Sequence, residues 1–85
     1  MIWRIIWTDP AAKDIGRLDR NLKARIHGAV GRYAETSYGD VKRLHGSTSE
    51  YRLRVGEWRV RFELDRRAQV LRVLHVLPRG SAYRD

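Results

Sequence analysis

Two short runs of this 85-residue chain alternate apolar and basic residues: Tyr51-Arg52-Leu53-Arg54-Val55 and Trp58-Arg59-Val60-Arg61-Phe62. Strict alternation marks a strand with one buried face. Gly56-Glu57 lies between the runs, and Gly at the first central position suits a two-residue II′ hairpin turn. That turn sets the register. Val55 faces Trp58, Leu53 faces Val60 and Tyr51 faces Phe62 on the core side, whereas Arg54 faces Arg59 and Arg52 faces Arg61 on the other. Directly opposed side chains sit roughly 4.5–5.5 Å apart at Cβ, where like charges destabilise a sheet. A face that accumulates such pairs implies a polyanionic phosphate partner. A merely solvated face, balanced here by Glu57, Glu63 and Asp65, would normally mix the two signs.

The charge of the whole chain points the same way. Eighteen Lys and Arg against ten Asp and Glu give a formal net charge of +8, so the natural partner is anionic. The basic residues are mostly arginine, whose planar, permanently charged fork suits bidentate phosphate contact better than the point charge of lysine. The chain has no cysteine, which excludes disulfide scaffolds, thiolate zinc sites and cysteine nucleophiles. Of the three histidines, His27 reads as solvated, His45 as an RNA contact in a basic loop, and His75 as a satisfied strand residue, with a place on the same face as Arg79 as the alternative. No pair has metal-ligand spacing, and neither a metal nor another cofactor is expected. The apolar start, Met1 to Trp7, is interrupted by Arg4 and lacks the pattern of a secretory signal, and no apolar run approaches transmembrane length. The expectation is a soluble, cytoplasmic protein with no membrane partner, built as a single domain over residues 1–85.

The elements that must position these arginines can be read along the chain. Residues 2–7 are rich in Ile and Trp and read as a strand covered on both faces. Thr8-Asp9-Pro10 starts a helix, with a capping side chain followed by Pro at the first helical position. Apolar residues then recur with helical spacing, and Asp19 interrupts them as a second N-cap. This gives helices over 10–18 and 20–38, with Gly39 as the C-cap. Residues 39–50 read as a basic loop and turn, 51–64 as the hairpin, 65–68 as a turn, and 69–77 as a central strand ended by Pro78. Trp3, Trp7 and Trp58 fall on core positions. The order β-α-α-β-β-β implies an α+β fold, with a helical hairpin on one face of an antiparallel sheet and the arginines on the other.

The residues Lys42-Arg43-Leu44-His45-Gly46, then Tyr51 to Val60, then Pro78-Arg79 and Tyr83 resemble the RelE/ParE toxin superfamily in order and spacing. The resemblance covers essentially the whole chain. It implies the toxin of a bacterial toxin–antitoxin pair, with a fold like that of microbial ribonucleases and an acidic antitoxin encoded in a neighbouring gene. RelE-type members cleave messenger RNA on the ribosome without a metal, through attack of the 2′-hydroxyl. ParE-type members instead bind and poison DNA gyrase. Carried over, the RelE-type catalytic set falls on Arg52, Arg54, Arg59, Arg79 and Tyr83, which favours the ribonuclease branch. Lys42, Arg43, His45 and Arg61 are the accompanying candidate RNA-binding positions. Several RelE-type enzymes carry lysine where this chain has Arg52 and Arg54. The alternatives are a ParE-like gyrase inhibitor and a non-catalytic nucleic-acid-binding module.

Overall fold

The computed structural model describes residues 2–44, 46 and 49–80. The elements run β1 (Arg4–Trp7), α1 (Asp9–Gly16), α2 (Arg20–Thr36), β2 (Val41–Arg43), β3 (Glu50–Val55), β4 (Trp58–Asp65) and β5 (Val70–Pro78). They form one five-stranded sheet in the order β1-β5-β4-β3-β2, with both helices packed on it. The helices begin where expected: the Thr8 side chain accepts from Ala11 N, and Asp19 from Leu22 N at 2.9 Å. These caps satisfy amides that a helix start leaves unpaired.

The hairpin has the expected register throughout, from Val55↔Trp58 to Tyr51↔Phe62. Gly56 adopts φ +60° and Glu57 does not have a positive φ, as a II′ turn requires. Leu53, Val60 and Phe62 project into the core with Ile26 and Val30 of α2, and each is at most 3% exposed. Phe62 packs between two phenol rings, at 5.4 Å from Tyr33 and 5.6 Å from Tyr51. Trp3 is buried, while Trp7 and Trp58 are half-buried against the core.

Four details differ from the sequence reading. First, the sheet is mixed: β1 runs parallel to β5 (Arg4↔Val70 to Trp7↔Val73) beside otherwise antiparallel pairs. Second, only one face of β1, an edge strand, is covered: Ile5 and Trp7 pack on the core while Ile6 on the other face stays 36% exposed. Third, part of the supposed loop is β2, whose Lys42 pairs with Arg52 and Arg43 with Tyr51. Fourth, Ser37 provides the left-handed C-cap of α2, at φ 61°, and not Gly39. Gly39 serves a close approach instead, since a Cβ there would meet Leu53 Cδ1 at 3.1 Å.

A β-bulge in β5 explains His75. Arg61 pairs with His75 but Phe62 pairs with Val73, leaving Leu74 as the extra residue. Beyond Val73, β5 has no further β1 partner, and Asp14 of α1 covers that open edge. Its carboxylate accepts Val76 N at 2.9 Å and lies 3.1 Å from His75 Nδ1. His75 is thereby the satisfied strand residue that was expected, although its partner comes from α1 and is distant in the chain. His27, although exposed, packs its ring at 4.7 Å from Trp7.

Candidate functional site

The face of the sheet opposite the helices divides into two electrostatic halves. At the Asp65 end the basic residues meet carboxylates. Glu50 holds both Nε (2.8 Å) and Nη2 of Arg61, and Glu63 accepts from Arg72 Nη1 at 2.8 Å. The register opposes Glu50 to Glu63 across β3 and β4, so each carboxylate is separated from its like neighbour by engaging an arginine. At the hairpin-turn end the balance is reversed. A cleft of about 220 Å³ is lined by Lys42, Arg52, Arg54, Arg59 and Arg79, with Asp40 as the one carboxylate in its wall among the described residues.

Each cation reaches the cleft from a different part of the sheet. Lys42 of β2 and Arg52 of β3 stand opposite one another, as do Arg54 of β3 and Arg59 of β4. Arg79 follows β5 and is tied to the hairpin turn by its backbone, Arg79 N donating to Glu57 O at 2.9 Å. Its side chain is 65% exposed, with Nη1 3.9 Å from the Glu57 carboxylate. Arg59 differs from the rest: the residue is only 5% exposed, and its Nη1 donates to Gly56 O and Trp58 O, both at 2.9 Å. Burial of that charge is offset by these charge-assisted bonds. Arg59 therefore stiffens the turn and places a fixed positive charge in the cleft.

Asp40 is the residue that sequence reasoning missed. Its carbonyl accepts Arg54 N at 2.9 Å, so it lengthens the β2–β3 pairing by one step. Its carboxylate stands 3.8 Å from Arg54 Nη1, with both side chains more than half exposed. An ion pair this open contributes no more than about 1 kcal/mol to stability. Alternation with Lys42 could have placed Asp40 on the cleft face, but only if residues 41–43 had been recognised as a strand.

The other nominated residues are not gathered here. Arg61 is held by Glu50 in the mixed-charge half. Arg43 opposes Tyr51 on the helix-facing side, with its guanidinium carbon 5.8 Å from the ring centroid. His45 and Tyr83 lie outside the described residues. Among the described residues no group of three or more His, Asp or Glu could hold a metal ion, and no helix is long and apolar enough to cross a membrane.

The arginines around Tyr51 also shift its chemistry. A hydrogen bond from Arg43 holds the Tyr51 phenol below the ordinary tyrosine value of 10.0, burial opposes this, and Arg66 assists it. Burial moves Tyr33 the other way, and the charge of an ionised Tyr51 adds to the rise. Because the folded value of Tyr51 is depressed, its contribution to stability is present above the unfolded value and is lost as the pH falls through the folded one. An ultraviolet titration should resolve one phenol ionising below the usual range. Arg43→Ala should move that component back up; an unmoved component would mean that Arg43 does not hold Tyr51.

A cleft of convergent guanidinium groups on a sheet backed by two helices can bind a phosphodiester and stabilise charge developing on it. The fold is shared with known toxins. The archaeal RelE of a RelE–RelB complex from Pyrococcus horikoshii superposes with a TM-score of 0.80 at 23% identity, over 94% of this chain and 98% of that one. A chain of the Mycobacterium tuberculosis toxin–antitoxin complex RelBE2 gives 0.80 at 20% identity, over 93% and 100%. A free Escherichia coli RelE mutant gives 0.81 at 17% identity, over 96% and 88%. A search of curated protein sequences returned no significant match. The family model described as ParE toxin of type II toxin–antitoxin system, parDE, matches residues 5–83. With nearly the full length matched and the RelE fold reproduced, the chain belongs to the RelE/ParE toxin superfamily, in the ParE toxin family of type II toxin–antitoxin systems.

Proposed function

We propose that this toxin is a ribosome-dependent, metal-independent endoribonuclease that cuts translated messenger RNA in the cytoplasm. The observation that carries the reading is the cleft itself, which Lys42, Arg52, Arg54, Arg59 and Arg79 line together with Asp40, its one carboxylate among the described residues. Cleavage by 2′-hydroxyl attack requires a proton acceptor, cations around the pentacovalent phosphorus and a donor for the departing 5′-oxygen. Arginine stays protonated and cannot be the acceptor. Asp40 is the group in the cleft wall that can take the 2′-hydroxyl proton, while Arg54, Arg59 and Arg79 stabilise the phosphorane oxygens. Tyr83 is assigned to the leaving group or to stacking on a base. An open site of this kind relies on the ribosome to orient the RNA for in-line attack.

The partner that restrains the toxin is a cognate antitoxin. The related Pyrococcus horikoshii, Mycobacterium tuberculosis and Methanococcus jannaschii chains were each solved as toxin–antitoxin complexes. An acidic segment laid over this +8 chain would steer association and mask the cleft.

A second reading, inhibition of DNA gyrase by binding, is favoured by the ParE description of the matched family. Primer extension on a translated message separates the two. The ribonuclease reading expects codon-phased cuts that need ribosomes, with gyrase supercoiling unaffected. Stalled supercoiling over an intact message would replace it with the gyrase reading.

A further inference from the structure

The basic surface does not stop at the cleft. Asp40 and Arg54 are shared with a second concavity along the α2–β3 junction, which in turn shares Ala29, Arg32 and Arg54 with a third. Through these shared residues the three concavities adjoin one another, from the cleft past Arg54 to the α2 residues Ala24, Arg25, Gly28, Ala29 and Arg32. Three guanidinium groups mark this groove, those of Arg54, Arg32 and Arg25, and Asp40 is the only acidic residue lining it among those described. Arg25 is held over the hairpin turn, where a Cβ on Gly56 would meet its Nη2 at 3.0 Å.

The floor and rim of this groove are equally distinctive. Gly28 lies inside α2, where glycine weakens a helix relative to alanine. Internal packing does not require it, because a Cβ at 28 would meet nothing within 4 Å. Together with Ala24 and Ala29 it leaves the groove flat and unobstructed. At the rim Tyr38 is 71% exposed, one of the most exposed large apolar side chains among those described. Phosphate-binding cations along a flat groove with an exposed aromatic ring are the elements that hold a single nucleic-acid strand, through backbone neutralisation and base stacking. A duplex would keep its base faces stacked internally and could not use Tyr38.

We propose that this groove is a track for single-stranded RNA continuing from the cleft, with Arg32 and Arg25 binding successive phosphates and Tyr38 stacking on a base. The proposal rests on reading the cleft as an RNA site, and assigns the flanking part of the same strand to α2.

The test measures binding of two RNAs by the full chain, separately from cleavage. One is about 12 nucleotides long, within the range of roughly 4–16 that a small-domain groove covers, and the other about 3 nucleotides, enough for the cleft alone. The parent should bind the longer RNA more tightly. In Arg25→Gln/Arg32→Gln that advantage should disappear, and the salt slope should become shallower by about 0.7 for each phosphate that is no longer neutralised. Tyr38→Ala should weaken the long RNA by about 5- to 150-fold. Gly28→Leu should obstruct the track without altering charge, and thermal melting checks that each variant is folded. The short RNA should bind all of them as it binds the parent.

Equal affinity for both lengths in the parent, or long-RNA binding unchanged in the variants, overturns the track. So does a set of variants that no longer bind an acidic antitoxin yet bind RNA normally, which would give the groove to the protein partner. A parent that binds through the groove but leaves ribosome-bound message uncut keeps the track and removes the enzyme reading. A parent that cuts, with groove variants that bind and cut equally well, does the reverse.

Discussion

If the cleft is the ribonuclease site proposed here, Asp40→Asn should lower single-turnover cleavage on programmed ribosomes by about 10²–10⁴-fold, the usual contribution of a positioned acid–base group. Binding should not weaken, and should tighten slightly. Among the described residues, the substitution removes the one negative charge from a wall lined otherwise by five cations. The fold should survive, because the Asp40–Arg54 pair is open to solvent and the backbone bond from Arg54 N to the Asp40 carbonyl is retained. This separation of rate from affinity distinguishes a proton acceptor from a residue that only tempers Arg54. If Asp40→Asn binds tighter and cleaves at the parental rate, Asp40 is an electrostatic neighbour and the acceptor lies elsewhere.

Arg79→Ala should cost about 10²–10³ in rate, the scale of losing one donor to developing charge. Its guanidinium stands mostly in solvent and its structural link to the Glu57 carbonyl is through the backbone, so melting should hardly change. Arg54→Lys should also slow cleavage, because a bidentate fork becomes a point charge. The opposed Arg59 sharpens this comparison. Arg59 is buried with Nη1 committed to two turn carbonyls, so its charge is permanent, and a lysine at 54 could relieve the repulsion by losing its proton. A lysine variant faster than the parent would make position 54 a proton donor instead of a phosphate clamp. Parental rates in both Arg79→Ala and Tyr83→Phe would remove the C-terminal segment from the chemistry.

What local sequence determined here, it determined through short-range geometry. Alternation in 51–55 and 58–62, with Gly at the first turn position, leaves one register that buries Leu53, Val60 and Phe62, since a one-residue slip would turn the arginines into the core. Thr8 and Asp19 mark the helix starts because a cap acts on amides two or three residues away. The convergence of Arg52, Arg54, Arg59 and Arg79 was legible too, through the hairpin and the family pattern. The remaining features depend on partners distant in the chain. Residues 41–43 carry no alternation and become a strand only by pairing with the edge of β3, which is what brings Lys42 and Asp40 to the cleft. The parallel β1–β5 pair joins segments more than sixty residues apart, and the bulge that gives His75 to Asp14 has no local signal. Alternation put Arg61, read as an RNA-binding position, on the same face as Arg54, because it assigns a face and not a neighbour. Only the folded sheet, by seating Glu50 against Arg61 and leaving the turn end cationic, decided which arginines line the cleft and which are paired with carboxylates.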